Sequence, residues 1–280
     1  MKNVYLLLFA VCALFSTHSR LQAQGQCCET TATHQFAMLG ADKAFRNTHL
    51  EPLPMVLNSY KGDMIRFTCE DGQDGQAYLL RSTGSDKYVF VFQEWWGLND
   101  YIKLEAEKIK ETLGNVNVMA IDLYDGKVAT TREEAGKLMQ STKEARIRTI
   151  IKGAVASCGP NAAIANIGWC YGGGWSLQAA IMEGKTNKAC VMYYGMPETD
   201  IDKLKTLNSD VLGIFAGKDK SINAKVVGQF QNNMIKAGKK LQVKVYDADH
   251  AFANPSNPGF QKEYTEDAYK MSIRFIQKRL

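Results

Sequence analysis

Gly168-Trp169-Cys170-Tyr171-Gly172-Gly173 sets a thiol among glycines, directly after the apolar run 162–169 and before a stretch of helical character. A nucleophile at the apex of a strand–turn–helix sits on a nucleophile elbow, here with cysteine where serine is usual. So tight a turn strains the apex residue, and side chains two positions either side would collide with the adjoining strand and helix. Glycine at 168 and 172 removes both clashes. A thiol at such a place attacks carbonyl carbon, and it needs a base to remove its proton and an acid to orient that base.

Both partners lie downstream, in the chain order nucleophile, acid, base. The apolar run 211–217 leads into Lys218-Asp219, and 241–246 leads into Asp247-Ala248-Asp249-His250. The chain has four histidines, His18, His34, His49 and His250. His18 falls in a segment expected to be removed, and His34 and His49 precede the whole sheet, where histidines are commonly solvated or satisfied at the surface. That leaves His250 as the base. Asp219 is the expected acid, although an aspartate here could also cap a helix starting near Ser221. Asp247 and Asp249 compete, but they adjoin the histidine and would point elsewhere.

Such a constellation requires strands that end side by side. Residues 31–48 read as one helix on Phe36, Leu39, Ala44 and Phe45, followed by a Pro52-x-Pro54 linker. Residues 64–70 and 76–81 flank Asp71-Gly72-Gln73-Asp74-Gly75 as a hairpin. Strands are expected at 88–93, 116–123, 162–169, 190–194, 211–216 and 241–246. Helices are expected at 99–113, at 130–157 in one or two pieces, and at 175–183, 221–237 and 260–279. Apolar strands alternating with amphipathic helices imply a mostly parallel sheet covered on both faces, an α/β-hydrolase fold.

Four motifs, Phe92-Gln93-Glu94-Trp95-Trp96-Gly97-Leu98, Gly168-Trp169-Cys170-Tyr171-Gly172-Gly173, Ala216-Gly217-Lys218-Asp219 and His250-Ala251-Phe252, come in this order. In them the chain resembles the dienelactone hydrolase family over about residues 60–280. The resemblance implies that Glu94 lies close to the thiol, keeps it protonated at rest and accepts its proton on activation. The backbone N–H groups of Tyr171 and Trp95 are the expected oxyanion donors. Tyr171, Trp95 and Trp96 are expected to wall the pocket. Family members acting on dienelactone bind its carboxylate with two arginines. Arg132 matches one, and Asn254 stands where the second would be, which argues against dienelactone itself.

At 280 residues and 45% hydrophobic, the chain can bury one large core. Residues 1–23 read as a secretory signal, 24–60 as an N-terminal extension with one helix, and 61–280 as the catalytic domain. The signal's apolar core of about a dozen residues is too short to span a bilayer, so the mature protein is expected to be secreted or periplasmic. Removing Lys2 and Arg20 with that segment takes the net charge from +5 to +3. That balance is too mild and scattered to imply nucleic-acid or membrane partners; the expected partner is a small-molecule ester or lactone.

Seven cysteines less Cys12 and Cys170 leave five, so at least one more is unpaired or bridges chains. Cys27 and Cys28 are the expected disulfide source, with Cys69 as a partner. Cys158 and Cys190 read as buried thiols. Cys27, Cys28, His34 and His49 lack a recognisable metal-ligand spacing, and no metal or cofactor is expected. Two other classes fit the fold: a non-catalytic binding module, which would tolerate a broken triad, and a thiol redox protein, which usually carries a resolving cysteine as in Cys-x-x-Cys.

Overall fold

The computed structural model describes residues 31–280. The expected signal segment and Cys27 and Cys28 lie outside the described residues. The chain enters through two short helices, α1 (Ala32–Leu39) and α2 (Lys43–Thr48). The single expected helix is divided because Gly40 closes the first, and Asp42 caps the second by accepting from the Ala44 N–H at 2.7 Å.

A hairpin follows, β1 (Asp63–Thr68) and β2 (Asp74–Leu80), paired antiparallel across the Asp71-Gly72 turn. Alternating units then run through β3 (Lys87–Phe92), α3 (Asp100–Leu113), β4 (Asn117–Ile121), α4 (Arg132–Ser141), α5 (Glu144–Ser157), β5 (Ala163–Trp169) and α6 (Tyr171–Glu183). The last part comprises β6 (Asn187–Tyr193), α7 (Ile201–Lys205), β7 (Asp210–Ala216), α8 (Ala224–Lys236), β8 (Leu241–Tyr246) and α9 (Lys262–Gln277). The short α7, with Asp200 as its cap, has too few residues to show a helical period in sequence.

The eight strands form one sheet in the order β1-β2-β4-β3-β5-β6-β7-β8. The first two pairings are antiparallel and the rest parallel. This is an α/β-hydrolase fold. Its central strands are largely apolar because helices cover both faces: β4 is buried at every position, β3 after its first two residues and β5 after its first. The strand order reverses around β3, and a crevice forms at the carboxyl ends of strands beside such a switch. Residues 93–96, 170, 219 and 250 all follow strand ends on that edge.

Helix α6 begins at Tyr171, four residues before its expected start. Gly172, Gly173 and Gly174 are poor helix formers, but the sheet requires them. A Cβ on Gly172 would overlap the carbonyl oxygens of Phe92 and Gln93, and one on Gly168 would overlap the Gly172 carbonyl. The steric demand read from the sequence is thus the packing of α6 against β3 and β5. Among the described residues, no helix is long and apolar enough to cross a membrane.

Candidate active site

Cys170 joins β5 to α6 with φ 55° and ψ −117°, a backbone conformation that costs a non-glycine residue on the order of 1–3 kcal/mol. Its N–H donates to the Tyr193 carbonyl at 3.0 Å, which ties the apex to β6. The Tyr171 N–H, the first amide of α6, points at the thiol sulfur.

His250 ends the loop after β8, and its Nδ1 lies 2.5 Å from Asp219 Oδ2. The other oxygen of Asp219 accepts from the N–H groups of Ser221 at 2.8 Å and Ile222 at 2.9 Å. Asp219 therefore caps the loop into α8 and holds the histidine at once, one oxygen for each. That geometry fixes the imidazole with Nδ1–H toward the carboxylate and leaves the buried Nε2 facing the Cys170 sulfur. Asp247 is turned outward and pairs with Lys218 at 3.1 Å, and Asp249 is exposed.

Glu94 is 3% exposed, and burial pushes its carboxyl up to about 7 against the opposing pull of His250. It accepts from the side-chain amide of Asn254 and from the Tyr194 hydroxyl at 3.4 Å. Burial also raises the Cys170 thiol, and the neighbouring Glu94 charge adds to this against the pull of His250. His250 is raised as well, its burial outweighed by the Asp219 carboxylate.

The structure corrects the reading of His49. It is not a surface residue: it is 2% exposed, and its Nε2 lies 3.8 Å from Cys170 Sγ. Its Nδ1 is 2.9 Å from the Phe45 carbonyl oxygen, one helical turn back, so the N–H sits there and the Nε2 lone pair faces the thiol. Burial, and then the neighbouring His250, lower its pKa to about 3, so the ring is neutral. The His49 ring centroid lies 4.8 Å from that of His250 and 4.5 Å from that of Trp95. Phe45 packs edge-on to both Trp95 and Phe36, and Phe36 stacks on Tyr171. The extension is therefore the roof of the site. Phe45 lies on α2, and His49 is the extended residue that closes it, so no helical spacing marks the pair in the sequence.

Trp95 and Trp96 are both buried and in mutual contact at 5.0 Å between ring centroids. Arg132 takes the first position of α4, with its Nε 3.8 Å from Glu51. His34 is exposed on α1. Cys69 is a free, buried thiol packed against Gly153 rather than a disulfide partner; Cys158 and Cys190 are also free and buried.

The model of the dienelactone hydrolase family matches residues 76–280. The chain belongs to the dienelactone hydrolase family. That is a family of carboxylic ester hydrolases. A putative carboxymethylenebutenolidase of Aquifex aeolicus is 25% identical over 232 residues, covering 78% of this chain and 99% of that protein. A carboxymethylenebutenolidase of a Pseudomonas strain is 26% identical, covering 74% and 91%. Among solved structures, a putative dienelactone hydrolase from Klebsiella pneumoniae superposes with a TM-score of 0.66 at 21% identity, over 78% of this chain and 99% of that one. It shares the fold. The matched region begins after the extension, so His49 lies outside the family model.

Proposed function

We propose that the protein is an exported hydrolase of small esters or lactones, working through a thioester on Cys170. The observation that carries this is the convergence of Cys170, His250 and the Asp219-held Nδ1 at one sheet edge. His250 Nε2 takes the thiol proton, directly or after relay through Glu94, while Asp219 stabilises the imidazolium. The thiolate attacks the carbonyl carbon, and the Tyr171 and Trp95 N–H groups hold the oxyanion. Loss of one such donor costs on the order of 100- to 1000-fold in rate. The carbon–oxygen bond breaks and the alcohol leaves with the proton from His250. Water, deprotonated by His250, then releases the acid and restores the thiol.

The substrate is an ester without a free carboxylate. Asn254 is engaged by Glu94, and Arg132 faces Glu51, so neither is poised as half of an arginine pair. Export rests on residues 1–23, and N-terminal sequencing from the native host should find a start near Gln24; a retained Met1 would refute it. Turnover of aryl esters and lactones, with and without a carboxylate, tests the substrate class. Neutral substrates should be preferred. Tenfold preference for carboxylate-bearing ones, or hydrolysis of none, would overturn the assignment.

A further inference from the structure

The roof histidine gives the site a donor set that hydrolysis does not require. Cys170 Sγ and one nitrogen each of His49 and His250 all lie within 4.8 Å of one another. With zinc–sulfur bonds of about 2.3 Å and zinc–nitrogen bonds of about 2.0 Å, tetrahedral coordination separates such donors by roughly 3.3–3.6 Å. The Cys170–His49 separation of 3.8 Å is close to that span.

Both rings are also oriented as metal-bound imidazoles are. His250 gives its Nδ1–H to a carboxylate and His49 gives its Nδ1–H to a carbonyl. These are the two outer partners that usually fix a ligating histidine with its other nitrogen free. The His250 Nε2 is the third donor: it lies in a residue 7% exposed and is turned to the Cys170 sulfur. One thiolate and two imidazoles suit zinc and leave a fourth position for water. A cavity of about 100 Å³ beside the cluster, lined by Phe45, Thr48, Lys218 and His250, offers a path from the surface.

We propose that His49, Cys170 and His250 form a zinc site in which the metal reversibly shuts the hydrolase off. Binding displaces the thiol proton to solvent and occupies both the nucleophile and the base. The inhibitory half rests on the function proposed above; the coordination does not. His49 comes from the extension, so the property belongs to this chain's own roof rather than to the matched family region.

The test uses the full mature chain, reduced and stripped of metal, with cobalt(II) as a spectroscopic stand-in for zinc. Cobalt should give a thiolate-to-metal charge-transfer band and intense tetrahedral d–d bands. Zinc should displace it with one ion per chain, abolish turnover, and be reversed by a chelator. Cys170→Ser should remove the charge-transfer band, and His49→Gln should weaken zinc by at least about tenfold, since even loss of an outer partner costs 10- to 100-fold. X-ray absorption of the zinc-loaded wild type, which needs no variant, should show one sulfur and two imidazole nitrogens. A band that persists in Cys170→Ser, unchanged affinity in His49→Gln, or a centre without sulfur would overturn the site. Zinc bound as described while turnover continues would overturn the switch. If no ester is turned over, the cobalt spectrum still decides the coordination.

Discussion

The sheet's carboxyl edge and the N-terminal roof both touch Cys170, but they are built differently. The edge is assembled by parallel strands whose hydrogen bonds fix each loop, so Cys170, Asp219 and His250 inherit positions set by the whole core. The roof is two short helices held by a few contacts. Thr33 bonds Glu144 at 3.1 Å, the Leu57 N–H donates to Asp100 at 3.1 Å, and Phe36 and Phe45 are buried. Yet the roof closes the site, since Cys170 has no exposed surface. Elements with few buried contacts open at lower free energy than a sheet core. On the proposed function, chemistry falls to the strand-anchored edge and access to the roof.

The largest expected effect falls on the rigid side. Glu94→Gln removes the proton acceptor beside the thiol and should lower turnover by at least on the order of 100-fold, the lower range for a positioned acid–base group. It should also change the pH dependence of stability, with a definite sign. The folded carboxyl, near 7 against an ordinary 4.5, contributes stability that is full below about pH 4.5 and is lost as pH rises through about 7. The variant lacks that loss. Between about pH 4.5 and pH 8 it should therefore gain on the wild type by about 3 kcal/mol in denaturant unfolding. A constant difference across that range would show Glu94 to be an ordinary carboxylate.

The roof is probed by Phe45→Ala. Truncating a buried phenylalanine costs about 3–5 kcal/mol, here concentrated in the roof's contacts with Trp95 and Phe36. Where opening limits access, alkylation of Cys170 by iodoacetamide should speed by roughly tenfold or more. Unchanged alkylation would mean that reagents reach the thiol without moving the roof.

The smallest effect is expected at Asp247. Its pair with Lys218 is exposed, and such pairs contribute about 0–1 kcal/mol. Asp247→Asn should leave turnover near wild type. A loss comparable to that of Glu94→Gln would make Asp247, not Asp219, the acid behind His250.

The same division governs what the sequence makes legible. The elbow is local: Gly168 and Gly172 bracket Cys170 because the backbone crossing there admits no side chain, and that constraint is written within a few residues. Asp219 and His250 are legible because each follows a strand-like run, apolar before Asp219 and alternating before His250. The roof has no such grammar. His49 stands alone after a six-residue helix, between exposed Thr48 and Leu50, and reaches a thiol 121 positions away. The Glu94–Asn254 bond spans 160 positions, and nothing local joins its partners. The start of α6 was obscured for a related reason: its glycines lower helix propensity while meeting a packing demand imposed by β3.

The central claim is that Cys170 carries the acyl group. Rapid mixing with a slowly hydrolysed aryl ester, acid quenching and peptide mass analysis read this directly. The account predicts one acyl adduct, on the peptide containing Cys170, that forms with the release of the alcohol and decays at the rate of steady-state turnover. An adduct on another residue, or undiminished turnover in Cys170→Ala, would contradict it.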